Sequence, residues 1–230
     1  MSLLKSVWVV MAVLSLAAAS QSASAATIIY ENSFENDNNG SKPAGWNNRY
    51  GWGSYHVTTS QSSHGNKSVY VAGTGGNCNW LYKNNIGADG DTTLTFDMML
   101  PSRGSHGTDA LVNLQGFSSY FKGVNQSQYV LDRGDLGHFN YGTWYSFQID
   151  IDWDAATAVY SSGGVATDPI SFTPNTSKGI QLYAQHGNGK AYFDNLVLYD
   201  GLLSDTPTTP APLALPMALA CLLIARSRGK

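Results

Sequence analysis

The sequence predicts an all-β domain built as a two-sheet antiparallel sandwich. Between residues 27 and 200, short runs rich in β-branched and aromatic residues alternate with clusters of Gly, Asn, Ser and Asp. No longer stretch shows the period of about 3.6 residues that marks an amphipathic helix. We find no internal repeat, which argues against a solenoid or a propeller.

Eleven segments have the composition of strands. They are Thr27–Tyr30, Tyr55–Thr58, Ser68–Ala72, Asn79–Tyr82, Thr92–Leu100, Leu111–Phe117, Gln128–Leu131, Trp144–Trp153, Ala156–Tyr160, Gly179–Gln185 and Ala191–Tyr199. In the eighth, Tyr145, Phe147 and Ile149 alternate with polar residues, as in a strand with one buried face. Asp154-Ala155 marks the turn of a predicted hairpin with the next strand.

The charge balance excludes one class of partner. Residues 26–200 contain 9 basic and 15 acidic residues, a net charge of −6. A nucleic-acid-binding protein needs a basic surface, so we expect no nucleic-acid partner. The two cysteines, Cys78 and Cys221, are not expected to form a disulfide, because Cys221 lies in an apolar C-terminal segment.

The two ends of the chain have the composition of targeting segments. Residues 1–25 form a predicted signal peptide, with an early lysine, an apolar run and the small-residue site Ala23-Ser24-Ala25. Residues 26–201 are the expected sandwich domain, and residues 202–210 are a Pro/Thr-rich spacer. Residues 211–230 are an apolar segment with a basic end, predicted to form a short helix.

The C-terminal segment resembles the PEP-CTERM family of bacterial sorting signals. The matching residues are Thr209-Pro210-Ala211-Pro212, the apolar run after them, and Arg226 and Arg228, with Ala211 where the family usually has Glu. The resemblance implies a sorting protease of the exosortase type and a transient stay in the inner membrane. A plain C-terminal membrane anchor is the alternative, and both interpretations place the domain outside the cytoplasm, at the cell surface or in the extracellular matrix.

The domain itself resembles the concanavalin A-like jelly rolls, which include laminin-G-type domains and sandwich carbohydrate-binding modules. The matching residues are Tyr30–Glu35, Pro43–Trp46, Ser63–Val71, the strand of Trp144 and Tyr145, and Ala191–Leu198. The resemblance implies a jelly-roll topology. It also implies a structural calcium ion held by Glu35 and Asp194, with Glu31 as a further candidate ligand; such oxygen ligands suit calcium.

The sequence gives little support to catalysis. Glu31 and Glu35 are its only glutamates, and the Glu-x-Asp-x-x-Glu pattern of jelly-roll glucanases is missing. Asp150, Asp152 and Asp154 fall on one side of a strand, as in a solvated sheet face or a calcium cluster. A sandwich lyase would use a His or Tyr base. Candidates of that kind are His106, His138 and His186 with Tyr141 or Tyr183.

Carbohydrate binding needs only exposed aromatic rings beside polar side chains. Two clusters have this composition, one with Tyr50, Trp52 and Tyr55, the other with Trp80 and Tyr82. We therefore expect an exported, non-catalytic, lectin-like domain that binds a polysaccharide or other glycan. The alternatives are a polysaccharide lyase or glycoside hydrolase on the same sandwich, and a structural matrix protein without a ligand.

Overall fold

The computed structural model describes residues 26–49, 54–73, 79–87, 90–105, 108–174, 179–184 and 189–203. The signal peptide and the C-terminal segment lie outside these ranges. Within the described ranges the chain forms strands but no helix, and therefore none that could cross a membrane. Residues Ala26–Leu203 belong to one compact unit.

Sixteen strands are described, and they alternate with short turns. They are β1 Thr27–Asn32, β2 Asn47–Arg49, β3 Ser54–Thr58, β4 Ser68–Ala72, β5 Asn79–Asn84, β6 Thr92–Met99, β7 Thr108–Leu114, β8 Phe117–Gly123, β9 Gln128–Leu131, β10 Phe139–Asn140, β11 Tyr145–Asp152, β12 Thr157–Ser162, β13 Val165–Ala166, β14 Ile170–Ser171, β15 Gly179–Ala184 and β16 Lys190–Asp200.

The strands form two antiparallel sheets, as predicted. The first sheet has nine strands, with the main order β13-β12-β11-β6-β16-β4-β3 and with β1 paired to β16 and β14 paired to β12. The second sheet has seven strands in the order β10-β9-β8-β7-β15-β5-β2. Along one side of β16, β4 pairs with residues 190–193 and β1 with residues 196–200, so β1 and β4 lie end to end. This arrangement agrees with a jelly-roll sandwich.

The core lies between the two sheets and is rich in aromatic rings. Phe147 of the first sheet contacts Phe121 and Phe139 of the second, with both pairs of ring centroids 5.1 Å apart. Alternation along each strand produces this layer, because every second residue points inward. In β11, for example, Phe147, Ile149 and Ile151 are buried in the core.

Five observed strands, β2, β8, β10, β13 and β14, were not predicted, and β8 was missed because a turn lies inside a predicted strand. The apolar run Leu111–Phe117 is interrupted by a hairpin turn, so that β7 ends at Leu114 and β8 begins at Phe117. Gln115 (φ 50°) and Gly116 (φ 88°) occupy the left-handed region that two-residue hairpin turns require. The Asn113 side chain accepts a hydrogen bond from the Gly116 N–H at 2.9 Å and stabilises the turn.

Two buried tyrosines provide a test of the core. The Tyr160 hydroxyl accepts a hydrogen bond from Ser119 Oγ (2.9 Å), whereas the buried Tyr129 hydroxyl has no partner among the described residues. Tyr160→Phe should therefore lower the free energy of unfolding by about 1 kcal/mol, while Tyr129→Phe should leave it unchanged or raise it. Urea unfolding of both variants measures this. A larger loss for Tyr129→Phe than for Tyr160→Phe would contradict the packing described.

Candidate functional site

The outer face of the second sheet carries a row of large side chains that crosses four strands. We call it the apolar row, and it consists of Trp80, Tyr183, Leu111 and Tyr120. Each member is the direct antiparallel partner of the next, on β5, β15, β7 and β8. They alternate with core residues such as Leu81 and therefore point away from the core. At a strand spacing of about 4.8 Å the row is about 14 Å long.

The middle of the apolar row is more deeply buried than its ends. Tyr183 and Leu111 are 5% and 4% exposed, while Trp80 and Tyr120 are half-buried. Trp80 packs edge-on against Tyr183, with ring centroids 4.7 Å apart and an interplanar angle of 77°. The buried indole nitrogen of Trp80 has no hydrogen-bond partner among the described residues. Buried donors are normally paired, so this nitrogen is an unusual feature of the face.

A second row, parallel to the first, is polar. We call it the polar row, and it consists of Asn47, Tyr82, Gln181, Asn113 and Ser118. These residues are also direct antiparallel partners, on β2, β5, β15, β7 and β8. The two rows are two residues apart along each strand, a distance of about 6.6 Å. Asn113 Nδ2 donates to Ser118 Oγ at 2.8 Å, which fixes the orientation of that amide.

One end of this face contains a buried acid. The Asp109 carboxylate, at the start of β7, accepts hydrogen bonds from the Gly104 N–H (2.5 Å) and the Tyr141 hydroxyl. Burial raises the pKa of Asp109 above its usual range, and the two hydrogen bonds oppose that rise. Burial also raises the pKa of Tyr141, as does its bond to Asp109. With both carboxylate oxygens occupied, Asp109 fixes the chain around it.

The predicted binding residues do not all meet on this face. Trp80 and Tyr82 lie on it, one in each row. Tyr55 lies on β3 of the first sheet, opposite Val71, and packs against the core. Tyr50 and Trp52 lie outside the described residues. The sequence clusters did not include Tyr120, Gln181 or Asn113; alternation along the strands is the signal that could have found them.

The predicted metal ligands lie near one another at the junction of β1, β4 and β16. Glu31 and Glu35 line a cavity of about 510 Å³ together with His64 and Asn195. Asp194 is fully buried, and burial raises its pKa. Among the described residues no group of three or more His, Cys, Asp or Glu side chains is close enough to hold a metal ion. Calcium binding stays a prediction.

Two members of the aspartate triplet, Asp150 and Asp152, lie on β11 and accept hydrogen bonds, whereas Asp154 lies in the turn after that strand. Asp150 accepts from Thr93 Oγ1 at 2.5 Å and from Gln148 Nε2 at 2.7 Å. Asp152 accepts from the Ala155 N–H in the turn after β11. These contacts fit a polar sheet face.

Comparison with known proteins agrees with the fold. A sialidase is similar with a TM-score of 0.58 at 10% identity, over 78% of this chain, which matches only 19% of the sialidase. The CBM22-1 xylan-binding domain of Xyn10C from Paenibacillus barcinonensis aligns with a TM-score of 0.44 at 15% identity, over 76% of this chain and 96% of that domain. Domain 4 of AbnA, a GH43 extracellular arabinanase from Geobacillus stearothermophilus, was solved in complex with arabinotriose. It aligns with a TM-score of 0.49 at 11% identity, over 79% of this chain and 96% of that domain.

At 10% identity, the similarity to the sialidase, the one of these three with a TM-score above 0.5, shows the fold alone. No protein-family model matches the chain, and no curated protein does.

The raised pKa of Asp109 predicts a pH dependence of stability. The folded state keeps the Asp109 proton to a higher pH than the unfolded state, whose pKa is near 3.8. Asp109 therefore contributes to the free energy of unfolding through its retained proton. This contribution is fully present below that pH and is lost as the pH rises through the folded-state pKa. Asp109→Asn cannot titrate, so its free energy of unfolding should fall less steeply above pH 3.8 than that of the wild type.

Chemical denaturation at a series of pH values measures the difference between the two proteins. Asp194 is present in both and cancels in the comparison. Parallel curves for the variant and the wild type would show that Asp109 does not titrate differently in the folded state.

Proposed function

We propose that the outer face of the second sheet binds a polysaccharide or other glycan. The observation that supports this most directly is the pairing of the apolar row with the polar row. Sugar rings have flat apolar C–H faces edged by hydroxyl groups, so they are bound by aromatic side chains next to amides. Trp80 and Tyr120 supply partly exposed rings, and Gln181 and Asn113 supply donors and acceptors.

In this proposal the sugar chain lies across the strands. Its ring faces pack on the partly exposed ends of the apolar row, Trp80 and Tyr120, and its hydroxyls hydrogen-bond to the polar row about 6.6 Å away along the strands. The buried Tyr183 and Leu111 hold the end rings in place, so little side-chain entropy is lost on binding. The face is provided by paired strands, which keeps its geometry fixed before the ligand arrives.

Charge on the face also suits a neutral ligand. Lys122, on β8, forms an ion pair with Asp132 at 2.7 Å. Both carboxylate oxygens of Asp109 already accept hydrogen bonds from the protein. Away from Arg103, which lies close to Asp109 at one end, the described residues of the face offer amides and hydroxyls, the groups that bind a neutral sugar.

Binding to soluble neutral polysaccharides tests the proposal. We expect the wild type to bind at least one of a xylan, an arabinan and a β-glucan in affinity electrophoresis. Trp80→Ala and Gln181→Ala should each weaken binding about tenfold or more, because each removes a contact worth about 1.4 kcal/mol. Tyr70→Ala is the matched control, since Tyr70 is a half-buried aromatic residue on the outer face of the first sheet.

Two outcomes would overturn this proposal. One is the absence of binding to every glycan tested, which would favour a structural matrix protein. The other is unchanged binding by folded Trp80→Ala and Gln181→Ala proteins. The same incubations test the enzymatic alternative: reducing ends, or unsaturated ends detected by ultraviolet absorbance, would show hydrolysis or elimination. A carboxylate pair for hydrolysis is missing from the described part of this face.

We propose also that the domain is exported and then sorted through its C-terminal segment. The signal-like N-terminus and the apolar segment with its basic end support this. Mass spectrometry of the protein recovered from a bacterium with an exosortase should show loss of residues 1–25 and cleavage near Thr209–Pro212. An intact C-terminus in the membrane fraction would instead favour a retained anchor.

A further inference from the structure

A lysine ammonium group lies at the junction where the resemblance places calcium. Lys67, just before β4, is half-buried. Its Nζ donates to the backbone carbonyl of Glu35 at 2.7 Å and to that of Asp37 at 2.8 Å. Backbone carbonyls are common calcium ligands, and here a protein cation already uses two of them.

One oxygen of the Glu35 carboxylate is occupied as well. Its Oε1 accepts hydrogen bonds from the backbone N–H groups of Asn66 (2.9 Å) and Lys67 (2.7 Å). Gly65, in the turn before these two residues, lies close to the same Glu35 oxygen. Its φ is +67°, and a Cβ atom at this position would lie 2.5 Å from Glu35 Oε1. Glycine is thus required here both for its backbone conformation and for space.

Asp194 is bound by N–H and O–H donors. Its Oδ2 accepts from the backbone N–H groups of Ser63 (3.0 Å) and His64 (3.2 Å) and from Ser63 Oγ (3.2 Å). Its Oδ1 accepts from the Asn195 N–H at 2.8 Å. These donors carry partial positive charge and occupy the lone pairs that a metal ion would use.

These contacts lie where the regular pairing of the sheet is interrupted. β1 and β4 lie end to end along β16, and the register of β16 shifts between Asp194 and Val197, where Asn195 has φ 48°. Regular ladder hydrogen bonds cannot join β1 and β4 at this point. Side chains and loops join them in place of the ladder.

We propose that the Lys67 ammonium group is the structural cation of this junction and that the domain needs no calcium for its stability. Through its hydrogen bonds to the Glu35 and Asp37 carbonyls, Lys67 connects the loop after β1 to the segment before β4. A bound metal ion would have the same role. Unlike a metal ion, the ammonium group cannot dissociate from the chain.

The melting temperature of the wild type, measured with excess calcium and with excess chelator, tests this without any variant. We expect the two values to agree within about 1 °C, since a ligand that does not bind the folded state does not change its stability. A melting temperature that falls clearly in chelator would overturn the proposal and would support calcium at Glu35 and Asp194.

The variant Lys67→Met tests the role of the ammonium group itself. It keeps most of the side-chain length but removes the charge and both carbonyl contacts, so the melting temperature should fall by about 5 °C or more. Lys122→Met is the matched control, because its ion pair with Asp132 is exposed and should contribute little. Equal effects of the two substitutions would contradict the proposed role of Lys67.

Discussion

The antiparallel register of β5, β15, β7 and β8 is the constraint on which the candidate site depends. Each strand has one set of apolar residues that must face the core, and the period of two then fixes which residues face outward. Leu81, Leu182 and Val112 hold these strands in place from inside. A shift of one residue in any of them would bury a polar-row residue and expose a core residue. The outer face is therefore as strongly determined as the core.

The same sheets are held together without a disulfide between described residues. Aromatic packing between the layers, with Phe147 against Phe121 and Phe139, supplies much of the contact area. Where regular pairing stops at the junction of β1, β4 and β16, hydrogen bonds to Glu35 and Asp194 and the ammonium of Lys67 join the chain segments. Hydrophobic packing and charge-assisted hydrogen bonds thus stabilise different parts of one domain.

The sequence predicts the strands well and the site only in part. Ser68–Ala72 and Gln128–Leu131 are predicted to the residue, because short β-branched and aromatic runs lie between clear turns. Tyr120 was missed as a site residue because the run Leu111–Phe117 conceals a hairpin turn.

The sequence did not predict the contacts between segments that are far apart in the chain. Alternation could have placed Tyr55 inward, since it is two residues from the buried Val57. The pairing of Trp80 with Tyr183, about a hundred residues away, depends on strand order, which no local pattern encodes. In the same way, the residue types at Glu35 and Asp194 suggest a metal, but they do not reveal that N–H donors occupy one oxygen of Glu35 and both oxygens of Asp194.

The central claim is that a glycan contacts the outer face of the second sheet. Titrating isotope-labelled protein with an oligosaccharide of a polysaccharide that it binds, and following the indole and side-chain amide signals by NMR, tests this claim most directly. The account predicts the largest shifts for the Trp80 indole N–H and the Gln181 and Asn113 amides. Shifts confined to the opposite face, around His56, Tyr70 and Tyr192, would contradict it.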